Sequence, residues 1–290
     1  MAVLLARSAR RLRRAGVFFG HGTDNARDEA AALIWHVLGR SAAGKPGAYA
    51  RPVSRRAQAR IAALLERRIR ERLPAAYLTR RCWFAGLSIY VDQRVLIPRS
   101  PIAELIERRF APWVEAARVQ RILDIGTGSG CIGIACARAF PQARVDALDI
   151  SPAALAVAQR NIRQHRLQRR VRTVQSDHFA ALRRASYDII VSNPPYVGRR
   201  ELQTLPAEYR HEPQLALAAG SDGLDSVRVI LRRAYAHLKP GGVLIVEVGN
   251  AERALRRAFP RLPFVWLSFE RGGGGVFVLE RQQLPRARAP

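Results

Sequence analysis

The segment whose residue types most suggest chemistry is Asn193-Pro194-Pro195-Tyr196, which directly follows a strand-like run over 188–192. Each proline fixes its own φ angle and pushes the residue before it toward extended geometry, and neither donates an N–H. The Pro194 carbonyl and the Asn193 side-chain oxygen are therefore two fixed acceptors, which suit the two hydrogens of a planar NH₂ group. Tyr196 adds an aromatic wall that suits a sulfonium or a developing cationic nitrogen.

The same segment has a simpler interpretation, because Asn-Pro is a common turn at the end of a strand. Its position favours a site, since open α/β sheets bind ligands at the carboxyl ends of their strands. Amide nitrogen is a poor nucleophile, because its lone pair is delocalised into the carbonyl. We therefore hypothesise that Asn193 and the Pro194 carbonyl orient such a nitrogen toward a sulfonium methyl and bind it more tightly as positive charge grows. No general base need act first, because the proton can leave afterwards.

A glycine-rich segment, Gly126-Thr127-Gly128-Ser129-Gly130, lies between a predicted buried strand over 121–125 and a predicted apolar helix over 131–140. Strand, glycine loop and helix in that order are the context of a nucleotide-type site. Glycines let the backbone turn sharply and approach a ligand closely, and the helix N-terminus favours a negative group. The G-x-G-x-G spacing leaves dinucleotide-binding enzymes as a competing interpretation.

Two acidic residues at predicted strand ends extend this candidate site. Asp149 could accept both hydroxyls of a ribose, which we favour over a role as a helix-flanking acid. Asp177 could accept from an adenine amino group. Phe179 or His178 could pack on the ring, with Phe179 preferred, since His178 could equally be a surface-loop histidine.

A fold of alternating strands and helices would position these residues. The chain shows this alternation from residue 119 onward. Strands are predicted over 121–125, 144–150, 171–175, 187–192 and 243–248, with helices between them. This alternation predicts a mainly parallel sheet covered on both faces. Two last strands, over 264–269 and 276–279, are joined by a glycine run and predict an antiparallel hairpin.

The first 80 residues differ in pattern and are predicted to be helical. Thr23-Asp24-Asn25 forms a polar cap before an apolar helix over 30–38, and a second amphipathic helix covers 53–73 until Pro74 ends it. Two short runs over 87–91 and 95–97 predict a hairpin that joins the two halves, and a helix follows over 102–110.

Composition limits the classes of function. The 290 residues carry 49 Lys plus Arg against 23 Asp plus Glu, a net charge of +26, and only Lys45 and Lys239 are lysines. Genomic bias toward arginine and an anionic partner such as nucleic acid both remain open. No apolar run reaches the roughly 20 residues of a membrane span. The apolar run at the start, over 2–5, is too short for a signal peptide and is followed by arginines. Three cysteines predict a reducing, cytoplasmic setting, with Cys131 and Cys136 in the core rather than on a metal.

Two motifs together, the one over 124–130 and Asn193–Tyr196, resemble the S-adenosylmethionine-dependent methyltransferases of exocyclic and amide nitrogens. Those enzymes methylate glutamines, DNA amino groups or ribosomal RNA guanines. Six further segments are similar to the bacterial glutamine N5-methyltransferases of the third large-subunit ribosomal protein: 18–25, 73–79, 83–87, 95–105, 208–213 and 269–273. Related release-factor enzymes tend to carry Arg-Pro-Asp-Thr-Glu where this chain has Arg99-Ser100-Pro101-Ile102-Ala103. The resemblance covers about residues 15–284.

The resemblance implies an α/β fold, a seven-stranded Rossmann-like class I methyltransferase sheet of order 3-2-1-4-5-7-6, with a small helical N-terminal domain. The implied divisions are a docking domain (1–80), a hairpin and linker (81–112), the methyltransferase domain (113–284) and a flexible tail (285–290). The implied cofactor is S-adenosylmethionine, with S-adenosylhomocysteine as product and no metal. The implied cofactor residues are Asp124, Gly126, Thr127, Gly128, Ser129, Gly130, Asp149, Ile150, Asp177, His178, Phe179 and Asn193. The implied substrate residues are Asn193, Pro194, Pro195, Tyr196 and Arg99, of which Asn193, Pro194 and Tyr196 are catalytic.

The leading hypothesis is thus a protein-glutamine methyltransferase. The alternatives are methylation of release factors, amino methylation of DNA or ribosomal RNA, and a non-catalytic RNA-binding factor that has kept the fold. A DNA enzyme usually has an added target-recognition region, and no insertion here is large enough. Residues 1–100 carry a net charge of +14 against +12 for 101–290. We expect the basic runs over 7–14 and 51–72 to lie away from the pocket, favouring a ribosomal protein bound to ribosomal RNA.

Overall fold

The computed structural model describes residues 1–39, 47–50, 52–182 and 186–286. Lys45, the first position of the basic run over 51–72 and the end of the predicted tail (287–290) lie outside the described residues. The helices are α1 (Ala2–Arg14), α2 (Ala26–Leu38), α3 (Arg55–Arg70), α4 (Ala75–Thr79), α5 (Ile102–Glu107), α6 (Cys131–Ala139), α7 (Pro152–Gln164), α8 (Arg199–Leu202), α9 (Asp225–His237) and α10 (Glu252–Ala258). The strands are β1 (Cys82–Phe84), β2 (Leu87–Ile89), β3 (Arg121–Ile125), β4 (Arg144–Asp149), β5 (Val171–Gln175), β6 (Tyr187–Ser192), β7 (Leu238–Glu247), β8 (Val265–Trp266) and β9 (Val276–Glu280).

Capping residues set the ends of helices α2 and α3. The Asn25 side chain accepts from the backbone N–H groups of Arg27 and Asp28, so α2 starts at the predicted cap and earlier than residue 30. Gly39 ends α2 in the left-handed region, with φ at +67°. Ser54 caps α3, which ends at Arg70, before the predicted limit. Helical structure before Pro74 is therefore confirmed, with shifted bounds.

The structure has a hairpin between residues 81 and 112, as predicted, but its strands are not the predicted runs 87–91 and 95–97. The structure pairs β1 with β2 in antiparallel register, Trp83 opposite Ser88. Ala85 and Gly86 take φ values of +46° and +72°, as a two-residue hairpin turn requires. Residues 92–95 fold instead into a turn, because Asp92 accepts from the backbone N–H of Arg94.

The sheet of the second half has the strand order β5-β4-β3-β6-β7-β9-β8. Counted from β3 as the first strand, this is the expected order 3-2-1-4-5-7-6. Neighbouring strands run parallel except β9, which is antiparallel to β7 and β8. The predicted terminal hairpin is confirmed, although β8 is shorter than the run over 264–269.

Two apolar clusters pack on opposite faces of the sheet, because successive strand residues point to opposite sides. Leu123 lies in a cluster with Leu231 of α9 and Phe277. Ile122 lies in the other cluster, which continues without interruption to Leu33 in the N-terminal helices. The N-terminal helices and one face of the sheet therefore share a single core. No helix in the described ranges is long and apolar enough to cross a membrane.

Candidate active site

A cleft of about 320 Å³ opens at the carboxyl ends of β3, β4 and β6. It brings together most of the residues that the sequence singles out. Those in its lining are Arg99, Gly126, Thr127, Gly128, Ser129, Asp149, Ile150, Asp177, His178, Asn193, Pro194 and Pro195. Asp124, Gly130, Phe179 and Tyr196 lie outside the lining of this cleft. The lining begins at Arg94, so the described parts of both N-terminal basic runs lie outside it, as expected.

The glycine loop takes the conformation that its composition permits. Gly126, Gly128 and Gly130 have φ values of +71°, +53° and +81°, in the region that favours glycine. A Cβ at Gly130 would come within 3.2 Å of the Ala158 Cβ on α7, so this glycine also allows close helix packing. A hydrogen bond of 2.8 Å from the Thr127 N–H to the carbonyl of Leu148 ties the loop to β4. The loop backbone can therefore approach a ligand closely.

Asp124 supports this loop from below and does not face the cleft. Its Oδ2 accepts from the Thr127 hydroxyl at 2.5 Å and from the Gly133 N–H at 2.9 Å. Complete burial raises the pKa of Asp124 to about 7, although these two hydrogen bonds oppose the shift. Asp124 therefore shapes the loop through Oδ2, while its Oδ1 is buried without a partner among the described residues. The cofactor contact expected of Asp124 stays a prediction.

Asp149 is fixed by two backbone donors. Its Oδ2 accepts from the Gly128 N–H at 2.8 Å, and its Oδ1 accepts from the Ser151 N–H at 2.9 Å. Burial raises the pKa of Asp149, and the hydrogen bonds from Ser151 and Gly128 oppose that change. Each oxygen keeps acceptor capacity after these bonds. A ribose diol is a ligand of matching shape and polarity.

The residues beside Asp177 correct the preference for Phe179 over His178. Phe179 is only 1% exposed and stacks on the His237 ring in the core, with centroids 4.7 Å apart. His178 lines the cleft, and its Nδ1 lies 2.6 Å from Asp177 Oδ1. The φ of His178 is +47°, a local reversal that periodicity does not reveal. Burial stabilises an apolar phenyl ring more than an imidazole, which accounts for the order observed.

The Asn-Pro-Pro-Tyr segment contains two acceptors that the described residues leave without a donor. Asn193 Oδ1 is buried and accepts no hydrogen bond from any described residue. Within the described chain, no backbone N–H donates to the Pro194 carbonyl. The glycine loop is adjacent, because a Cβ on Gly126 would lie 3.8 Å from the Asn193 carbonyl oxygen. Buried polar groups normally have partners, so an orphaned oxygen at a cleft indicates a ligand position.

Tyr196 supports this segment from behind and is not a wall of the cleft. A Cβ on Gly249 would come within 2.6 Å of the Tyr196 ring, so the ring packs directly on that backbone. Its hydroxyl donates to Glu247 Oε1 at 3.2 Å, and Ser100 donates to Glu247 Oε2 at 2.5 Å. Burial raises the pKa of Glu247, against these hydrogen bonds. These contacts give Tyr196 a positioning role, and its predicted catalytic role stays a prediction.

Arg99 lines the cleft but is anchored on its other side. Its guanidinium makes two hydrogen bonds to the Glu212 carboxylate, at 2.6 Å and 2.7 Å, and lies 5.2 Å from the Tyr209 ring centroid. Burial would raise the pKa of Glu212, but the Arg99 pairing outweighs it and lowers this pKa to about 2. His21 Nε2 lies 3.7 Å from the same carboxylate, so His21 supports this pair and does not reach the cleft.

Replacing Glu212 by Gln should flatten the pH dependence of folding stability in acid. A lowered pKa in the folded state adds stability above about pH 4.3, which is lost as the pH falls toward 2. The shift corresponds to about 3 kcal/mol, so the two proteins should differ most above pH 5 and converge toward pH 2. Urea unfolding across this range measures the difference. Glu115→Gln, at an exposed carboxyl, is the control; equal slopes for wild type and Glu212→Gln would contradict the assignment.

Several residues of the site escaped sequence reasoning. Ser100 lines the cleft and bonds Glu247 beneath it. One signal was present for Glu247, a single acid directly after the apolar run over 243–246. Leu215 and Ser226 reach the cleft from parts of the chain whose pattern carried no signal.

The parallel sheet with one antiparallel strand, and a glycine-loop cleft at the carboxyl ends of its strands, define a class I methyltransferase. The fold is shared with the hMettl16 catalytic domain in complex with 3′UTR hairpins. Two such structures give TM-scores of 0.51 and 0.50, cover 78% of this chain and 81% and 80% of theirs, and are 17% and 18% identical. Residues 108–208 match the methyltransferase small domain, and residues 4–79 match the PrmC N-terminal domain.

More similar relatives specify the family. The ribosomal protein uL3 glutamine methyltransferase of Neisseria meningitidis serogroup B is 46% identical over 275 residues, which cover 94% of this chain and 90% of that protein. The protein of the same name from Bordetella pertussis is 46% identical over 282 residues, covering 97% and 95%. This chain belongs to the family of ribosomal protein uL3 glutamine methyltransferases.

Proposed function

We propose that this protein transfers a methyl group from S-adenosylmethionine to the side-chain amide nitrogen, N5, of a glutamine in ribosomal protein uL3. S-adenosylhomocysteine is the other product. The observation that carries the proposal is a pair of acceptors, Asn193 Oδ1 and the Pro194 carbonyl, to which no described residue donates and which belong to residues lining the same cleft as the glycine loop. The names of the relatives over nearly the whole chain support the choice of uL3 over release factors and nucleic acids.

The cleft suits the parts of S-adenosylmethionine. Asp149 and the Gly128 backbone would hold the ribose and the adjacent chain of the cofactor. Ile150 is 47% exposed and lines the cleft, which is an unusual position for an isoleucine and offers an apolar face to adenine. His178 would flank the ring on another side. When bound, the cofactor supplies an electrophilic methyl group.

The residues of this chain then orient the glutamine amide. Asn193 Oδ1 and the Pro194 carbonyl accept its two hydrogens, which fixes the direction of the nitrogen lone pair. Both acceptors are in place before reaction, so positive charge developing on nitrogen is stabilised without reorganisation. Tyr196, bonded to Glu247, holds the segment in position. The proton leaves the nitrogen after methyl transfer, so no general base has to remove it beforehand.

Replacing Asp149 by Asn should weaken cofactor binding by roughly 10- to 100-fold, because each lost charge-assisted hydrogen bond is worth about 1.5–3 kcal/mol. Turnover at saturating cofactor should change much less. Isothermal titration with S-adenosylhomocysteine measures the affinity. Asp24→Asn, at an exposed acid in the N-terminal part, should bind as wild type does. Unchanged affinity in Asp149→Asn would remove this residue from the cofactor site.

The function is tested by incubating the protein with labelled S-adenosylmethionine and extract from cells that lack the enzyme. We expect label in one protein of the size of uL3, on a glutamine that mass spectrometry identifies. Label in a release factor or in nucleic acid would replace the proposed substrate by that alternative. No label in any fraction, with cofactor binding intact, would favour a non-catalytic assembly factor.

We further propose the division of labour that the sequence predicts. Residues 1–80 dock the substrate, 81–112 link, 113–284 bind cofactor and catalyse, and 285–290 form a tail. The substrate is uL3 bound to ribosomal RNA in an assembling particle, encountered in the cytoplasm. What supports this is the exposure of Arg7, Arg10, Arg13 and Arg14 on α1, outside the methyl-transfer cleft.

A further inference from the structure

A second cleft, of about 780 Å³, lies at the opposite end of the sheet from the candidate active site. The first residues of β3 and β4, the edge strand β5, helix α7 and the turn after α7 form its lining. Six arginines line it: Arg121, Arg144, Arg163, Arg169, Arg170 and Arg172. Across the described chain, Asp146 is the single acid in this lining. We call this feature the arginine cleft.

Three of the six guanidinium groups are held by the protein itself. Arg121 and Arg172 share Asp146, at 3.1 Å and 2.9 Å. Arg170 donates to the carbonyl of Ala137 at 2.5 Å. These contacts orient the side chains, and they neutralise only one of the positive charges.

The other three, Arg144, Arg163 and Arg169, are exposed and form no ion pair with any described residue. Arg144 lies directly beside Arg121 in the parallel register of β3 and β4. Asp146 neutralises part of the charge at Arg121, whereas Arg144, Arg163 and Arg169 have no carboxylate partner among the described residues and attract an anion. The protein therefore carries a preorganised, unneutralised cationic surface.

The breadth of the cleft favours a polyanion over a single small anion. Arginines on three adjacent strands, about 4.8 Å apart, extend over about 10 Å before the contribution of α7 is added. A guanidinium binds two oxygens of one phosphate through paired N–H donors. Several arginines in a row can therefore bind the successive phosphates of a polyanion. The charged side chain of Arg172 on the free edge strand β5 also opposes the addition of a strand from another protein. We propose that the arginine cleft binds the phosphate backbone of an RNA.

The position of the cleft separates this contact from methyl transfer. Strands β3 and β4 are five and six residues long, so their two ends lie about 17–20 Å apart. The arginine cleft is at their amino ends, and Asn193 follows the carboxyl end of β6. The groups proposed to bind RNA are thus distinct from those proposed to hold the methyl acceptor. The inference goes beyond the proposed function and does not require it to be correct.

The test measures binding of the full chain to a fluorescein-labelled ribosomal RNA hairpin by fluorescence anisotropy, without any methyl donor. One variant carries Arg144→Gln, Arg163→Gln and Arg169→Gln. The matched control carries Arg253→Gln, Arg257→Gln and Arg261→Gln, which removes the same charge from exposed arginines on and after α10, near the other sheet edge. We expect the first variant to lose at least about tenfold in affinity and about 2–3 in the slope of log K against log salt.

The control should lose less than about twofold in affinity. Equal losses in both variants would show that only net charge matters and would overturn the proposal. It would also be overturned if the cleft variant bound RNA normally but lost binding to phosphatidylserine vesicles or to polyglutamate. Phenylglyoxal labelling gives an independent readout, because bound RNA should protect Arg144, Arg163 and Arg169 from modification. S-adenosylhomocysteine binding should be the same in both variants, which separates this result from a failure of methyl transfer.

Discussion

Asn193→Ala should lower kcat on uL3 by about 10²- to 10³-fold, the usual effect of removing one oriented group that stabilises a developing charge. Its Oδ1 is a buried acceptor without a partner among the described residues, and the backbone carbonyl of Asn193 lies beside the glycine loop. The alanine variant loses the acceptor and keeps the Pro194 carbonyl and the backbone path. Steady-state kinetics with purified uL3, together with calorimetric cofactor titration, separates turnover from cofactor affinity.

Cofactor affinity should change by less than a few fold in this variant, because Asp149 and the glycine loop remain. Asn250→Ala removes an amide that bonds Glu201 on the surface, and its kinetics should match those of wild type. If Asn193→Ala weakened cofactor binding as strongly as it lowered turnover, Asn193 would be a cofactor ligand and the amide-orienting role would be lost. The proposed use of two acceptors makes residual activity from the Pro194 carbonyl a further expectation.

Arg68→Met should lower the free energy of unfolding by about 3–5 kcal/mol, because it leaves two buried carboxylates without their common partner. Arg68 is fully buried and pairs with Glu29 at 2.7 Å and with Glu208 at 3.0 Å. Its guanidinium also donates to the Phe18 carbonyl at 2.6 Å. Urea unfolding followed by tryptophan fluorescence measures the change.

Two comparisons test whether buried charge is the cause. Arg67→Met alters the neighbouring arginine, which is exposed and pairs with Glu71 across one helical turn, and it should have a much smaller effect. Adding Glu29→Gln and Glu208→Gln to Arg68→Met should recover much of the lost stability, since no unpaired carboxylate remains. A triple variant less stable than the single one would show that packing of the Arg68 side chain, and not its charge, is what matters.

Local sequence is sufficient to predict the structure of segments whose conformation depends on a few neighbouring residues. The glycine loop and Asn193–Tyr196 were predicted because glycine and proline restrict or release the backbone at their own positions. The strand order followed from the resemblance to a known family, and alternation alone indicated only a parallel sheet. The sequence did not indicate which of His178 and Phe179 faces the cleft, because the left-handed conformation of His178 reverses which side chain faces the core.

Other features depend on contacts far apart in the chain. In the sequence, Arg68 is one more residue of a basic run. In the structure it forms a hydrogen bond with Glu208, 140 positions further along the chain. Ser100 and Glu247 are separated by 147 positions and meet only once β7 is packed. Charge statistics gave no means of distinguishing a buried, paired arginine from a solvated one.

The uninterrupted apolar cluster between the N-terminal helices and the sheet has a consequence for selectivity. Helices that share a core with the strands cannot shift relative to Asn193 without opening that core. Under the docking role proposed for residues 1–80, a substrate on those helices would meet the methyl-transfer site at a constant separation. We then expect the protein to select the glutamine whose distance from the docked surface matches that separation.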